Sequence, residues 1–186
     1  MPQLELNGKI LATQTGSANT IVHADALEHA TFPSGHIIKS SGQLDHSTTG
    51  NFTTTSSTYV VVKESDGSTP ISTGAFNFTA GNKVLIMWSA SMFPHNGGTD
   101  VSNYVRISTS ATDNDNFISS MGDTQGAYIY SNESDSKQIG GMWQFIQTDS
   151  PSGTSVTYYF QIRAAHGGTA QYQRADSHIH LFEVQA

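Results

Sequence analysis

With no cysteine among 186 residues, any chemistry falls to histidines, carboxylates, hydroxyls and amides. Thiolate metal sites, cysteine nucleophiles and disulfide staples are excluded. The chain also lacks a Gly-x-Ser-x-Gly elbow, a His-Glu-x-x-His pair, a phosphate-cradling glycine loop and a zinc spacing. His23 and His29 flank Glu28 without the helical spacing a metalloprotease needs, and read as surface residues. A glycosidase needs two carboxylates across a scissile bond, and Asp113 with Asp115, or Glu133 with Asp135, are the available pairs. All four stand in polar, turn-like runs where acidic residues are commonplace, so the expectation is a protein that is not an enzyme. The run Asp113, Asn114, Asp115, Asn116 offers oxygen ligands of the kind Ca²⁺ takes. It lacks the glycine and the distal bidentate glutamate of the helix-loop-helix calcium site, and reads as a solvated loop.

Two constellations remain. His178 and His180 are two apart in a strand-like run, which puts both imidazoles on one face about 6.6–6.8 Å apart along the chain. They are the candidate metal ligands. Phe182 and Val184 share that face, so the plainer reading is a partly buried, hydrogen-bonded inner face. The second constellation is Asn96, in the loop PHNGGTD, with Tyr128 and Tyr130 beside SNESDSK. Ring faces stack on the apolar patches of a sugar while amides bind its hydroxyls, so these three are candidate receptor or partner contacts. The plain reading is a core tyrosine pair beside an ordinary turn. The sequons at Asn51, Asn77 and Asn132 are expected by chance in a chain this rich in Ser and Thr.

The elements that must position these residues are short strands. Runs of alternating apolar residues predict strands at 36–40, 58–64, 83–91, 103–109, 126–130, 139–147, 154–164, 169–173 and 177–185. Between them lie Gly, Pro, Asn, Asp and Ser clusters that set turn dihedrals. About nine strands without a helix predict an all-β sandwich or barrel. In 158–163, Tyr158, Phe160 and Ile162 fall on one face, with Tyr159, Gln161 and Arg163 on the other. The run KVLIMWSAS (83–91) is apolar on both faces, as is the region of Trp143 to Ile146, which predicts a second cover from a neighbouring subunit. Residues 1–35 show only two short alternating runs, around Leu4–Leu6 and Lys9–Ala12, and one helical turn at His23–Ala30. They predict an N-terminal arm or linker, leaving 36–186 as the folded domain.

Composition agrees with a folded β protein. Charged residues are only 12% of the chain, aromatics 10%, and Ser, Thr, Asn, Gln and Gly fill the difference. The net charge is −7, and no cluster of Lys and Arg occurs. Nucleic acid and anionic membrane are therefore not the expected partners. The first residues, MPQLELNGKIL, have no apolar core of a signal peptide, and no stretch approaches a membrane span.

Three blocks carry a resemblance. FPSGHIIKS (32–40), FTAGNKVLIMWSAS (78–91) and the run 149–186, which closes on Ile179-His180-Leu181-Phe182-Glu183-Val184, occur in that order. They resemble the trimeric, tumour-necrosis-factor/C1q-like jelly-roll virion proteins of tailed bacteriophages, of the tail-fibre, head-fibre and decoration type. Phe182 departs from the family's usual methionine, and the His-x-His before it is unusual. The resemblance implies a two-sheet β-sandwich jelly roll, a homotrimer, and a virion location. It also implies a non-enzymatic role in structure or adhesion, with residues 1–31 contacting other virion proteins. The alternative is a carbohydrate-binding domain that recognises a host surface glycan. In such a trimer no organic cofactor is expected. If His178 and His180 faced the threefold axis, six imidazole nitrogens would offer an octahedral set to a first-row transition metal.

Overall fold

The computed structural model describes residues 3–6, 9–15, 19–22, 33–45, 50–95, 101–115, 118, 127–131, 141–165 and 168–186. The chain divides into two compact units, Met1–His36 and Ile37–Ala186.

In the first unit, β1 (Gln3–Leu6), β2 (Lys9–Thr15) and β3 (Asn19–Val22) form an antiparallel sheet in that order. Leu6 opposes Lys9 and Thr15 opposes Asn19 in the ladder, and the β1 register slips at Leu4/Glu5. The segment expected to be an arm or linker, with alternating runs around Leu4–Leu6 and Lys9–Ala12, thus has its own sheet. Its β-branched residues (Ile10, Thr13, Thr15, Thr20, Ile21, Val22) favour extended backbone even where apolar residues are sparse. The helical turn expected at 23–30 lies outside the described residues.

The second unit holds β4 (Ile37–Asp45), β5 (Asn51–Thr54), β6 (Val60–Val61), β7 (Phe76–Asn77), β8 (Lys83–His95), β9 (Val101–Ser108), β10 (Ala127–Ser131), β11 (Gly141–Asp149), β12 (Ser155–Val156), β13 (Tyr159–Ala165) and β14 (Thr169–Val184). One sheet runs β11-β8-β14-β4, with β5 also on β14, and the other runs β10-β9-β13-β6. All pairings are antiparallel, and they nest: β4 with β14, β6 with β13, β8 with β11, β9 with β10. Outermost strands pair with each other and innermost with each other, as when one long hairpin is rolled into two layers. That strand order is the jelly roll. Among the described residues no helix occurs.

Three departures from the expected strands have a visible cause. The run 58–64 shrinks to β6 because the chain reverses at Asp66, whose carboxylate accepts the N–H groups of Ser68 and Thr69, both at 2.8 Å. The run 154–164 breaks into β12 and β13, where Tyr158 turns inward and exchanges hydrogen bonds with Thr73. Conversely, 169–173 and 177–185 join into β14, whose register slips between Gln173 and His178. Arg174 lies in that irregular stretch, and its guanidinium donates to the carbonyls of Lys63, Asn51 and Glu64 (2.6, 3.0 and 3.2 Å). It thereby ties β5 and the chain beyond β6 to the longest strand.

The core lies between the two sheets. Phe160 of β13 meets Trp88, Tyr172 and Phe145 of the opposing sheet at centroid distances of 4.7, 5.0 and 5.6 Å. The indole N–H of Trp88 donates to the hydroxyl of Tyr172 at 3.2 Å, so the two buried polar tips satisfy each other.

Candidate functional site

Strand period two decides what each face of β14 carries. Ile179, Leu181 and Glu183 point into the sandwich and are buried, whereas His178, His180, Phe182 and Val184 are half-buried on the outward face. The histidines thus share a face, as the spacing predicts, but it is the outer face of the sheet and not an inner one. β8 behaves likewise. Val84, Ile86, Trp88 and Ala90 enter the core, while Leu85, Met87 and Ser89 face out half-buried. On β11, Phe145 is buried while Gln144, Ile146 and Thr148 are exposed.

The ladder sets these residues in rows. Thr148, Leu85 and Phe182 form one row, Ile146, Met87 and His180 the next, and Gln144, Ser89 and His178 the third. Val184 stands between Lys83 and Ile37. Ile37 and Ile146 are 56% and 54% exposed, large values for isoleucine. The imidazole of His180 stacks on Phe182 with centroids 6.1 Å apart and planes 8° from parallel. In the ladder Asp45 of β4 stands opposite His178, at the end of the third row.

For metal binding, one chain supplies two imidazoles here, and among the described residues no group of three or more potential ligands converges. A first-row ion takes four to six donors, so a metal at His178 and His180 would have to be shared between copies.

The other sheet carries a polar layer on its outward side. Gln161, on the face opposite Tyr158, Phe160 and Ile162, is fully buried. Arg106 Nε donates to Gln161 Oε1 at 2.8 Å, and Gln161 Nε2 donates to the carbonyl of Thr112 at 3.0 Å. The loop after β9 therefore covers this residue, a non-local contact that alternation along β13 does not reveal. The guanidinium of Arg106 lies 4.0 Å from the Tyr59 ring centroid, and that of Arg163 lies 4.1 Å from that of Tyr104. Burial pushes the Tyr59 hydroxyl above its usual range, against the opposing pull of Arg163 and Arg106. Asp113, weighed above as a metal or catalytic carboxylate, accepts the N–H of Val61 at 2.7 Å and so fastens the loop to β6. Asp115 follows it across Asn114, the one described non-glycine residue at positive φ.

Of the candidate contact residues, Tyr128 and Tyr130 lie on β10 at the edge of this second sheet, opposite Tyr104 and Ser102 in the ladder. Asn96 lies outside the described residues, as do His23, Glu28, His29, Glu133 and Asp135.

No family model matches the chain, and no curated protein matches it. Among solved structures it is similar to the Eiger TNF of S. frugiperda, at 10% identity over 77% of this chain and 92% of that one, with a TM-score of 0.36. It is also similar to a protein of infectious bursal disease virus, Gx strain, at 7% identity over 99% of this chain and 46% of that one, again with a TM-score of 0.36. The jelly-roll assignment rests on the nested strand order, not on these distant likenesses.

Proposed function

We propose that this chain is a non-enzymatic structural component of a tailed-phage virion (fibre, decoration or adhesion module) that works as a homotrimer, with residues 1–31 contacting another virion protein. The observation that carries the reading is the outward face of the β11-β8-β14-β4 sheet. Ile37, Leu85, Met87, Ile146, Phe182 and Val184 populate it, with Asp45 opposite His178 at one end. Four strands about 4.8 Å apart and nine residues long present roughly 600 Å². One partner's share of a standard interface is about 800 Å².

A second copy of the chain is the occupant that the exposed apolar rows favour. Chains of charge −7 repel each other, and they approach best through a face dominated by apolar residues, with Asp45 set at its end opposite His178. The test is a density map of particles from a phage carrying this gene, made with the full chain and with residues 1–31 deleted. The expected result is threefold density the size of the jelly roll, lost from particles with the truncated chain. Particles whose map and protein composition lack the full chain refute the virion role.

A further inference from the structure

Beside the ends of β9 and β11 the jelly roll has an open cleft of about 620 Å³, lined by Thr109, Asp149, Pro151, Ser155, Thr157 and Tyr159 among others. That is within the usual size range of small-molecule sites. Its lining combines hydroxyls, one carboxylate and one half-buried aromatic ring.

The carboxylate is held in place. Asp149 Oδ1 accepts the N–H of Ser150 at 2.8 Å, and Oδ2 accepts the hydroxyl of Tyr158 at 2.9 Å. Burial, then the charge of Asp149 and this hydrogen bond, push the Tyr158 hydroxyl far above its usual range, so it stays a donor. Each carboxylate oxygen can accept more than one hydrogen bond, which leaves acceptor capacity toward the cleft. We propose that this cleft is a saccharide subsite, in which Asp149 accepts from neighbouring sugar hydroxyls, Ser155 and Thr157 add hydroxyl contacts, and Tyr159 and Pro151 pack against the ring's C–H face.

A fixed carboxylate suits a pair of hydroxyls, because two adjacent O–H groups can donate to its two oxygens at once. A neutral polyol also binds without bringing further negative charge to an acidic chain. This site does not rest on the assembly reading, since none of its lining residues belongs to the outward rows.

Saturation-transfer NMR on the full chain tests it, with the methyl glycosides of glucose, galactose, mannose and N-acetylglucosamine as probes. At least one glycoside is expected to bind with a dissociation constant of roughly 1–10 mM, the range for a few hydrogen bonds at an open site. Asp149→Asn keeps an acceptor for Tyr158 and should weaken that binding about tenfold. Should Asp149→Asn shift the melting curve, the comparison moves to Thr157→Val and Ser155→Ala, each expected to weaken binding severalfold. No binding of any of the four glycosides at about 50 mM, or binding unchanged across all three variants, overturns the proposal.

Discussion

Glu183 is a buried carboxylate on the last strand, and its replacement gives a pH-dependent outcome that can be worked out from its contacts. Its Oε1 accepts the N–H of Thr79 at 2.8 Å and the side-chain amide of Asn82 at 2.7 Å. Asn82 in turn accepts the N–H of Ala186 at 3.3 Å, so the carboxylate joins the turn before β8 to the end of the chain. Burial alone would raise its pKa. The bonds from Asn82 and Thr79, with Lys39 nearby, outweigh burial and hold it below the usual glutamate value. Glu183→Gln keeps the shape and one acceptor but loses the charge, at a cost of about 1–2 kcal/mol at neutral pH. Glu183→Ala removes the acceptor of the Thr79 N–H and of the buried Asn82 amide and costs about 2–4 kcal/mol. A depressed folded pKa stabilises above the unfolded value of 4.5 and loses that contribution as pH falls through the folded one. Urea unfolding at pH 7 should therefore separate wild type from Glu183→Gln, and the gap should close on acidification below about pH 4. A gap that is absent at pH 7, or unchanged down to pH 3, refutes the reasoning.

Arg174 donates to three backbone carbonyls in a fork that one ammonium cannot reproduce. Arg174→Lys is expected to cost about 1–2 kcal/mol and Arg174→Ala about 2–4 kcal/mol by denaturant midpoint, with faster amide exchange in β5. Equal stability of Arg174→Lys and wild type contradicts this. His178 and His180, if they meet at the threefold axis, bind one transition-metal ion per three chains, which elemental analysis of protein purified without a nickel column would detect. That metal should vanish in His178→Ala and His180→Ala, whereas a trimer without stoichiometric metal removes the axial site.

Much of the jelly roll was legible because its central strands are dense in apolar residues and bounded by turn clusters. The apolar run 83–91 falls within β8, and the closing run 177–185 overlaps the second half of β14. The two-residue spacing also put His178 and His180 together on one face. The same period places Glu183 with Ile179 and Leu181, a signal that this carboxylate is inward and needs donors. What escaped the sequence is non-local or polar. β5 (NFTT) has no apolar stripe to mark it. The irregular stretch at Arg174 looks like a turn until its side chain is seen serving carbonyls more than a hundred residues earlier. Gln161 is buried because the loop after β9 folds over it, a contact spanning 49 residues.

The central claim is self-association through the outward face of the β11-β8-β14-β4 sheet, and sedimentation of wild type beside Ile146→Asp tests it most directly. Ile146 is 54% exposed in the single chain, so aspartate there should leave folding stability within about 0.5 kcal/mol. In the assembled face it would bury an unpaired charge, a cost of several kcal/mol per copy. At micromolar concentration the wild type is expected to sediment as three copies of a 20.0 kDa chain, about 60 kDa. Ile146→Asp is expected to sediment at 20.0 kDa with an unchanged β-type circular dichroism spectrum. A wild type that stays at 20.0 kDa, or an Ile146→Asp variant that stays trimeric, contradicts the account.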